Sequence, residues 1–447
     1  MKNNLPTNIR SLRKEKGLTQ EQLADVFNIS VGAVHKWEAG LSTPDITVLM
    51  ELADFFGISL DSLVGFDASD NRSEVIVENL RKLTRRMDPS GPEQAELALK
   101  KYTTLNILGG KVKLVGEPDN VIDMIIHTAD DKKTDLTFEN VNLRGTLETT
   151  VQLGKNSETA LTISGECTLN KDGILVPYGS RLTVSGDGGL HIITSRNLSV
   201  GIGSNANEPY GDITFDMTGS VKIVANGDKA VGIGGGRCDG SRIRLLNGTF
   251  DISAKAIHAV AIGSSSGDTD IYIGRSAKCR LKSDGNDSVA LGSIAGKSEI
   301  ICRGKLEIIG DGEKTAGIGS LNGYTKTDLL SNDMSVTLHC YCGIGIGSLT
   351  GNADVKLEDA KVDIYAEGTQ INGFGSGEEM GNAEINGGSL SVAILAGIPR
   401  SFGSQKGDVI LNYGSVTSMH DVSVEVLNSH RQKLKPRYIE NGVVFEV

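Results

Sequence analysis

The chain has 447 residues, with 45 Lys and Arg against 56 Asp and Glu, a net charge of −11, and 56 glycines but a single tryptophan. The length exceeds one ordinary domain, and the acidic balance excludes a globally basic nucleic-acid coat while leaving room for a local basic face. No apolar run reaches the roughly 18 residues of a membrane span, the N-terminus has no apolar signal region, and six cysteines are too sparse for a disulfide scaffold. A cytoplasmic protein without membrane contact is expected.

The composition breaks near residue 105. Residues 1–105 hold 6 of the 56 glycines, and the other 50 fall in 106–447. Apolar residues recur at helical spacing before Leu105 and alternate in short strand-like runs after it. The pattern predicts a multidomain chain: an all-α five-helix head at 1–67, a helical connector at 68–105 and an all-β body at 106–447.

In the head, Asn8 to Lys16 reads as a first helix with Ile9 and Leu12 inward, stopped at Gly17. Thr19-Gln20-Glu21-Gln22 has the form of a capping box opening a second helix, whose inner face is Leu23, Ala24 and Phe27. After a turn at Asn28-Ile29, Ser30 caps a third helix, Val31 to Ala39, and Gly40 ends it. Two further helices are expected at about 45–56 and 60–63. Val34 and Trp37 anchor the third helix from behind, so its opposite face offers Val31, Gly32, His35 and Lys36 to solvent. A helix held this way can enter a major groove with its N-terminal half at the base edges. Residues 1–36 contain all six basic residues of the head against three acidic ones.

These pieces, Ile9-Arg10-Ser11-Leu12-Arg13, Gly17 to Ala24, Ile29-Ser30, Trp37-Glu38-Ala39-Gly40, Pro44 and Leu52 to Leu63, occur in order at fitting intervals. By them the first 65 or so residues resemble the Cro/C1-type (XRE) helix-turn-helix family. The resemblance implies binding of double-stranded DNA, often as a homodimer. Carried over by position, Gln20 would contact backbone or base, Ser30, Val31, Gly32, His35 and Lys36 would face the groove, and Ser42 and Thr43 would face phosphate. A head that serves protein interaction instead is the alternative.

In the connector, Ile76, Leu80, Leu83 and Met87 form an apolar stripe at spacings of 4, 3 and 4 on an expected helix over 73–87. That stripe suits either packing within the chain or a dimer contact. A second helix is expected over 93–105, placed to cap the open end of the array that follows.

The body repeats a short phrase: apolar, small, apolar, Gly and usually Ser. Its final glycines stand at 203, 234, 263, 292, 319, 347, 375 and 403, spaced 31, 29, 29, 27, 28, 28 and 28. Degenerate copies precede them at Gly154 and Gly179. Two further alternating segments lie between phrases, so each repeat of about 28 residues predicts one three-stranded coil of a parallel β-helix. The body resembles the glycine-rich β-helix repeats of bacterial cell-surface proteins and carbohydrate-binding β-helices. That resemblance implies a right-handed coil and polysaccharide binding; a carbohydrate or a protein is the expected ligand of the β-helix. If Val231 and Ile233 point inward, then Gly201, Gly232, Ala261, Ala290, Gly317, Gly345 and Gly373 line an outward ladder of bare backbone. Such a ladder is a candidate docking face, or a device that only relieves crowding at a corner.

Chemistry is harder to find. The carboxylate pairs Asp268/Asp270, Asp284/Asp287 and Asp130/Asp131 fall at corners where Asp is common in any case, and Cys340-Tyr341-Cys342 lacks partner ligands for a closed zinc site. Only 14 of the 342 body residues are aromatic, few for sugar stacking. No cofactor, metal or enzymatic activity is expected. The sequence reads as a DNA-binding regulator whose β-helix binds a ligand, a partner or another copy. An interaction or carbohydrate-binding protein with the head as a tether, and a β-helix polysaccharide enzyme, stay as alternatives.

Overall fold

The computed structural model describes residues 5–27, 29–56, 63–64, 75–78, 103–117, 120–145, 149–195, 198–205, 207–331, 333–402, 407–418, 426–439 and 442–447. It divides into two compact units, Met1–Ser73 and Glu74–Val447.

The first unit contains four helices among the described residues: α1 (Leu5–Glu15), α2 (Gln20–Val26), α3 (Val31–Glu38) and α4 (Ile46–Phe56). The fifth, expected at 60–63, falls outside the description apart from Leu63. That side chain is buried, and its carbonyl accepts a 3.1 Å hydrogen bond from Asn8 Nδ2. The capping box is formed: Thr19 Oγ1 accepts from the Gln22 amide at 3.1 Å, and Gln22 Oε1 accepts from the Thr19 amide at 2.8 Å. Asp45 caps α4 by accepting from the Val48 amide at 3.0 Å. Ile9, Leu23, Ala24, Val34, Trp37 and Leu52 form the centre of one apolar core.

The second unit is a β-solenoid of about 11 turns. One inward position can be followed rung by rung through parallel pairs, Leu105, Ile126, Val151, Ile174, Ile202, Ile233, Ile262, Leu291, Ile318, Ile346, Phe374 and Phe402. At strand spacing these eleven steps span about 53 Å. The phrase glycines from 203 to 375 pair in register as the repeat requires. Both degenerate copies are out of phase: Gly203 aligns with Leu175 and then Gln152, not with Gly179 and Gly154. A bare Gly-Ser signal marks a turn residue as readily as a strand residue, which is why Gly179 was misleading.

The expected connector helices are corrected where the residues are described. Val75–Glu78 is a strand parallel to Gly110–Val115, and Thr103–Ile107 is a strand parallel to Ile122–Thr128. Val75-Ile76-Val77 and Thr103-Thr104 are β-branched, and an adjacent sheet edge outweighs a weak helical spacing. Leu80, Leu83 and Met87, and residues 93–102 of the second expected helix, lie outside the described residues.

The glycine ladder is also corrected. Every residue of the phrases from 230 to 236 and 259 to 264 is buried, and Ala261 and Ala290 are 0% exposed. A Cβ on Gly232 would lie 2.4 Å from Ile252 Cγ2, a core side chain. Gly201, Gly232, Ala261, Ala290, Gly317, Gly345 and Gly373 therefore face packed interior, not solvent. Both sides of the phrase strand are covered. Ile233, Ile262 and Leu291 join the main core, while Val231, Val260, Val289, Ala316 and Ile344 form a second cluster with Ile294, Leu321 and Leu349. Alternation separates inward from outward residues only where one face of a strand is wet, and this strand is covered on both.

The described serines that close the phrases, Ser204, Ser264, Ser293, Ser320, Ser348 and Ser376, are buried. Ser264, Ser348 and Ser376 donate to the carbonyls of Asp268, Gly323 and Gly351 at 2.6, 2.6 and 2.7 Å; the Asp268 carbonyl also accepts from the Cys238 amide at 3.0 Å, so these corner oxygens are satisfied. At the C-terminal end, Gly442–Glu446 pairs antiparallel with both Val409–Ser418 and Arg437–Ile439. Its Val443, Val444 and Phe445 are buried. This hairpin covers strand edge that would otherwise template association.

Candidate nucleic-acid interface

The interface is built on α3. Ser30 Oγ accepts from the Ala33 amide at 3.2 Å and starts the helix, and Gly40, at φ +71°, lets the chain leave it. Val34 and Trp37 are buried, so the helix is seated by one face. The other face is open: Val31, Gly32, His35 and Lys36 are all exposed, as are Ser30, Ser42 and Thr43. Beyond Gly32 there is open space, because a Cβ there would meet nothing closer than Ser30 Oγ at 3.9 Å. Val31 and Gly32 offer no side-chain hydrogen bond, so polar readout on this face falls to His35 and Lys36, with Val31 suited to a thymine methyl.

Gln20 is placed differently. It is half-buried, and its Nε2 donates at 2.8 Å to Glu38 Oε2 at the C-terminal end of α3. Glu38 also accepts from Arg13 Nε at 2.5 Å and Nη2 at 2.9 Å, while Arg13 Nη1 donates to the Leu18 carbonyl at 2.7 Å. The two side chains are 10% and 4% exposed. Burial pushes the Glu38 carboxyl up, but the hydrogen bonds from Arg13 and Gln20 and the charges of Arg13 and Arg10 outweigh it and hold it below its ordinary value. One carboxylate thus ties α1, the start of α2 and the end of α3 together. Sequence reasoning did not find this network. Arg13 and Glu38 were both visible as part of the family pattern, but 25 positions of separation hide their contact.

Residues 9–63 match the family model described as Helix-turn-helix. A cryptic phage CTXphi transcriptional repressor of Vibrio cholerae serotype O1, RstR, is 31% identical over 100 residues, 22% of this chain and 88% of that protein. The chain belongs to the helix-turn-helix family of Cro/C1 type. Another helix-turn-helix relative, the transcriptional activator BcrR of Enterococcus faecalis, is 35% identical over 81 residues, 17% of this chain but only 37% of that protein. A third, the HTH-type transcriptional regulator YazB of Bacillus subtilis, is 40% identical over 55 residues, 12% of this chain and 80% of that protein. No solved structure matches the chain. Among the described residues, no helix is long and apolar enough to cross a membrane.

The solenoid carboxylates singled out in the sequence are engaged between rungs. Asp270 pairs with Arg242 at 2.9 Å, Asp284 with Lys255 at 2.9 Å and Asp287 with His258 at 3.0 Å. Asp268 accepts from the Lys297 amide at 2.8 Å and Asp130 from the Lys155 amide at 2.7 Å, and Asp131 accepts from Asn156 Nδ2 at 3.2 Å. They hold one coil to the next. Among the described residues no group of three or more His, Cys, Asp or Glu is placed to hold a metal ion.

Proposed function

We propose that the chain is a sequence-specific, DNA-binding transcriptional regulator of the cytoplasm that acts as a homodimer. Its helix-turn-helix head reads operator DNA, and its β-solenoid binds a ligand, a partner or a second copy without catalysing a reaction. The observation that carries the reading is the division of α3 into a buried face, Val34 and Trp37, and an exposed face, Val31, Gly32, His35 and Lys36, on a helix braced by Glu38. Gln20, Ser42 and Thr43 would supply the flanking phosphate contacts, Gln20 through the amide hydrogen not given to Glu38. Most of the affinity would come from phosphates and fall steeply with salt.

The test is selection of bound fragments from the source genome by the full chain, beside a His35→Ala/Lys36→Ala double variant. Both side chains are exposed, so the variant keeps the fold. A shared palindromic site lost in the variant supports the regulator and gives the half-site spacing of a dimer. Equal recovery by the two proteins rejects it and favours the head as an interaction module.

A further inference from the structure

The solenoid contains one coil that is short at a single corner. Where the strand Ser298–Cys302 turns into the strand Lys305–Asn322, Cys302 and Leu306 stand four positions apart. Their paired neighbours stand farther apart, six for Ile273 and Cys279 and five for Leu329 and Met334. The short corner is Arg303-Gly304-Lys305. It crosses tight against the coil before it: a Cβ on Gly304 would lie 2.5 Å from the carbonyl oxygens of both Gly274 and Ala277. The longer corners on either side leave a notch there, lined by Arg275, Arg303, Lys305, Asp333, Glu358 and Asp359.

The charges in the notch are not all balanced. Lys305 Nζ pairs with Asp333 at 2.5 Å, and Glu358 pairs with Lys356. Arg275 and Arg303 are exposed and have no carboxylate in ion-pair range among the described residues, and Asp359 has no cation. Elsewhere on these sides many cations meet an acid one rung away, as in Arg242–Asp270 and Lys282–Asp311, both at 2.9 Å. Two free guanidinium groups on adjacent coils, with one free carboxylate two coils beyond Arg303, about 10 Å along the same notch at strand spacing, suit an oxyanion that carries a donor at its far end.

We infer that this notch binds a small oxyanion that also carries hydroxyl groups. The carboxylate or phosphate lies across Arg275 and Arg303, and a hydroxyl donates to Asp359. The inference rests on the reading of the solenoid as the ligand-binding part of the protein, and it supplies the ligand class. Calorimetric titration of the full chain tests it, with glucuronate, glucose 6-phosphate and glucose as probes. The first two separate carboxylate from phosphate, and glucose offers the hydroxyls alone. At least one anion is expected to bind at millimolar concentration or below, with glucose at least about tenfold weaker. An Arg275→Ala/Arg303→Ala variant, melting like the parent, is expected to lose about tenfold or more of the anion affinity. Absence of binding by both anions, equal binding of glucose, or unchanged affinity in the double variant overturns the proposal. No DNA is present in the titration, so its failure and the failure of operator selection are read separately.

Discussion

Arg13 and Glu38 meet through two hydrogen bonds of 2.5 and 2.9 Å although they belong to the first and third helices of the head. Because both side chains are nearly enclosed, removing one strands the other. Glu38→Ala leaves a buried guanidinium with only the Leu18 carbonyl and frees Gln20. The expected cost is about 3 kcal/mol, large for a unit this small. Trp37 is the single tryptophan of the chain and belongs to the head core. Its fluorescence therefore follows head unfolding in urea without interference from the solenoid. A midpoint unchanged from the parent would refute the bracing role.

The same pair sets an acid limit. The folded-state pKa of Glu38 lies below its ordinary value, so the unfolded chain takes up this proton first. The contribution is fully present above the unfolded carboxyl value of about 4.3 and is lost as pH falls through the lower folded value. Head stability, followed by Trp37 emission, is expected to be flat on this account from neutrality to about pH 5 and to fall below about pH 4. In Glu38→Gln that acid loss should be smaller.

Two glycines should respond oppositely to alanine. Gly263 has φ +135°, and a Cβ there would lie 1.8 Å from the Gly292 carbonyl oxygen of the next coil. Gly263→Ala is expected to cost at least about 3 kcal/mol and to lower the solenoid melting temperature. Gly32 is helical with open space beyond it. Gly32→Ala is expected to stabilise the head by up to about 1 kcal/mol while placing a methyl on the proposed groove face. A DNA affinity altered without loss of head stability would fit that placement; an unstable Gly32→Ala head would contradict it.

The six cysteines should differ in reactivity. All are free, and only Cys342 is half-exposed. Burial pushes Cys302 and Cys340 up to about 12 and Cys167 to about 11. Thiolate, not thiol, is the reactive form. Titration with a thiol-specific disulfide reagent is expected to label Cys342 in the native chain and the other five only after unfolding. Fast labelling of two or more thiols at neutral pH would show that the solenoid interior is open.

The sequence alone determined the features that depend on local spacing. The capping box at Thr19 and Gln22, the seating of α3 by Val34 and Trp37, and the coil period carried by Gly203, Gly234 and Gly263 could all be read from it. Each is a rule about neighbours a few positions apart, or about one motif recurring at a fixed interval. Tertiary structure decided the rest, because burial and partnership depend on what the chain brings alongside. Val75-Ile76-Val77 became a strand when a sheet edge was available to it. Gly232 turned inward because Ile252 lies across the coil from it and both faces of its strand are covered. Gln20 was drawn to Glu38, 18 positions away, because helix packing placed a buried carboxylate beside it. The shorter spacing of 27 residues, plain in the sequence, acquired a consequence only when the adjoining coils stacked around Gly304 and left Arg275 and Arg303 lining one notch.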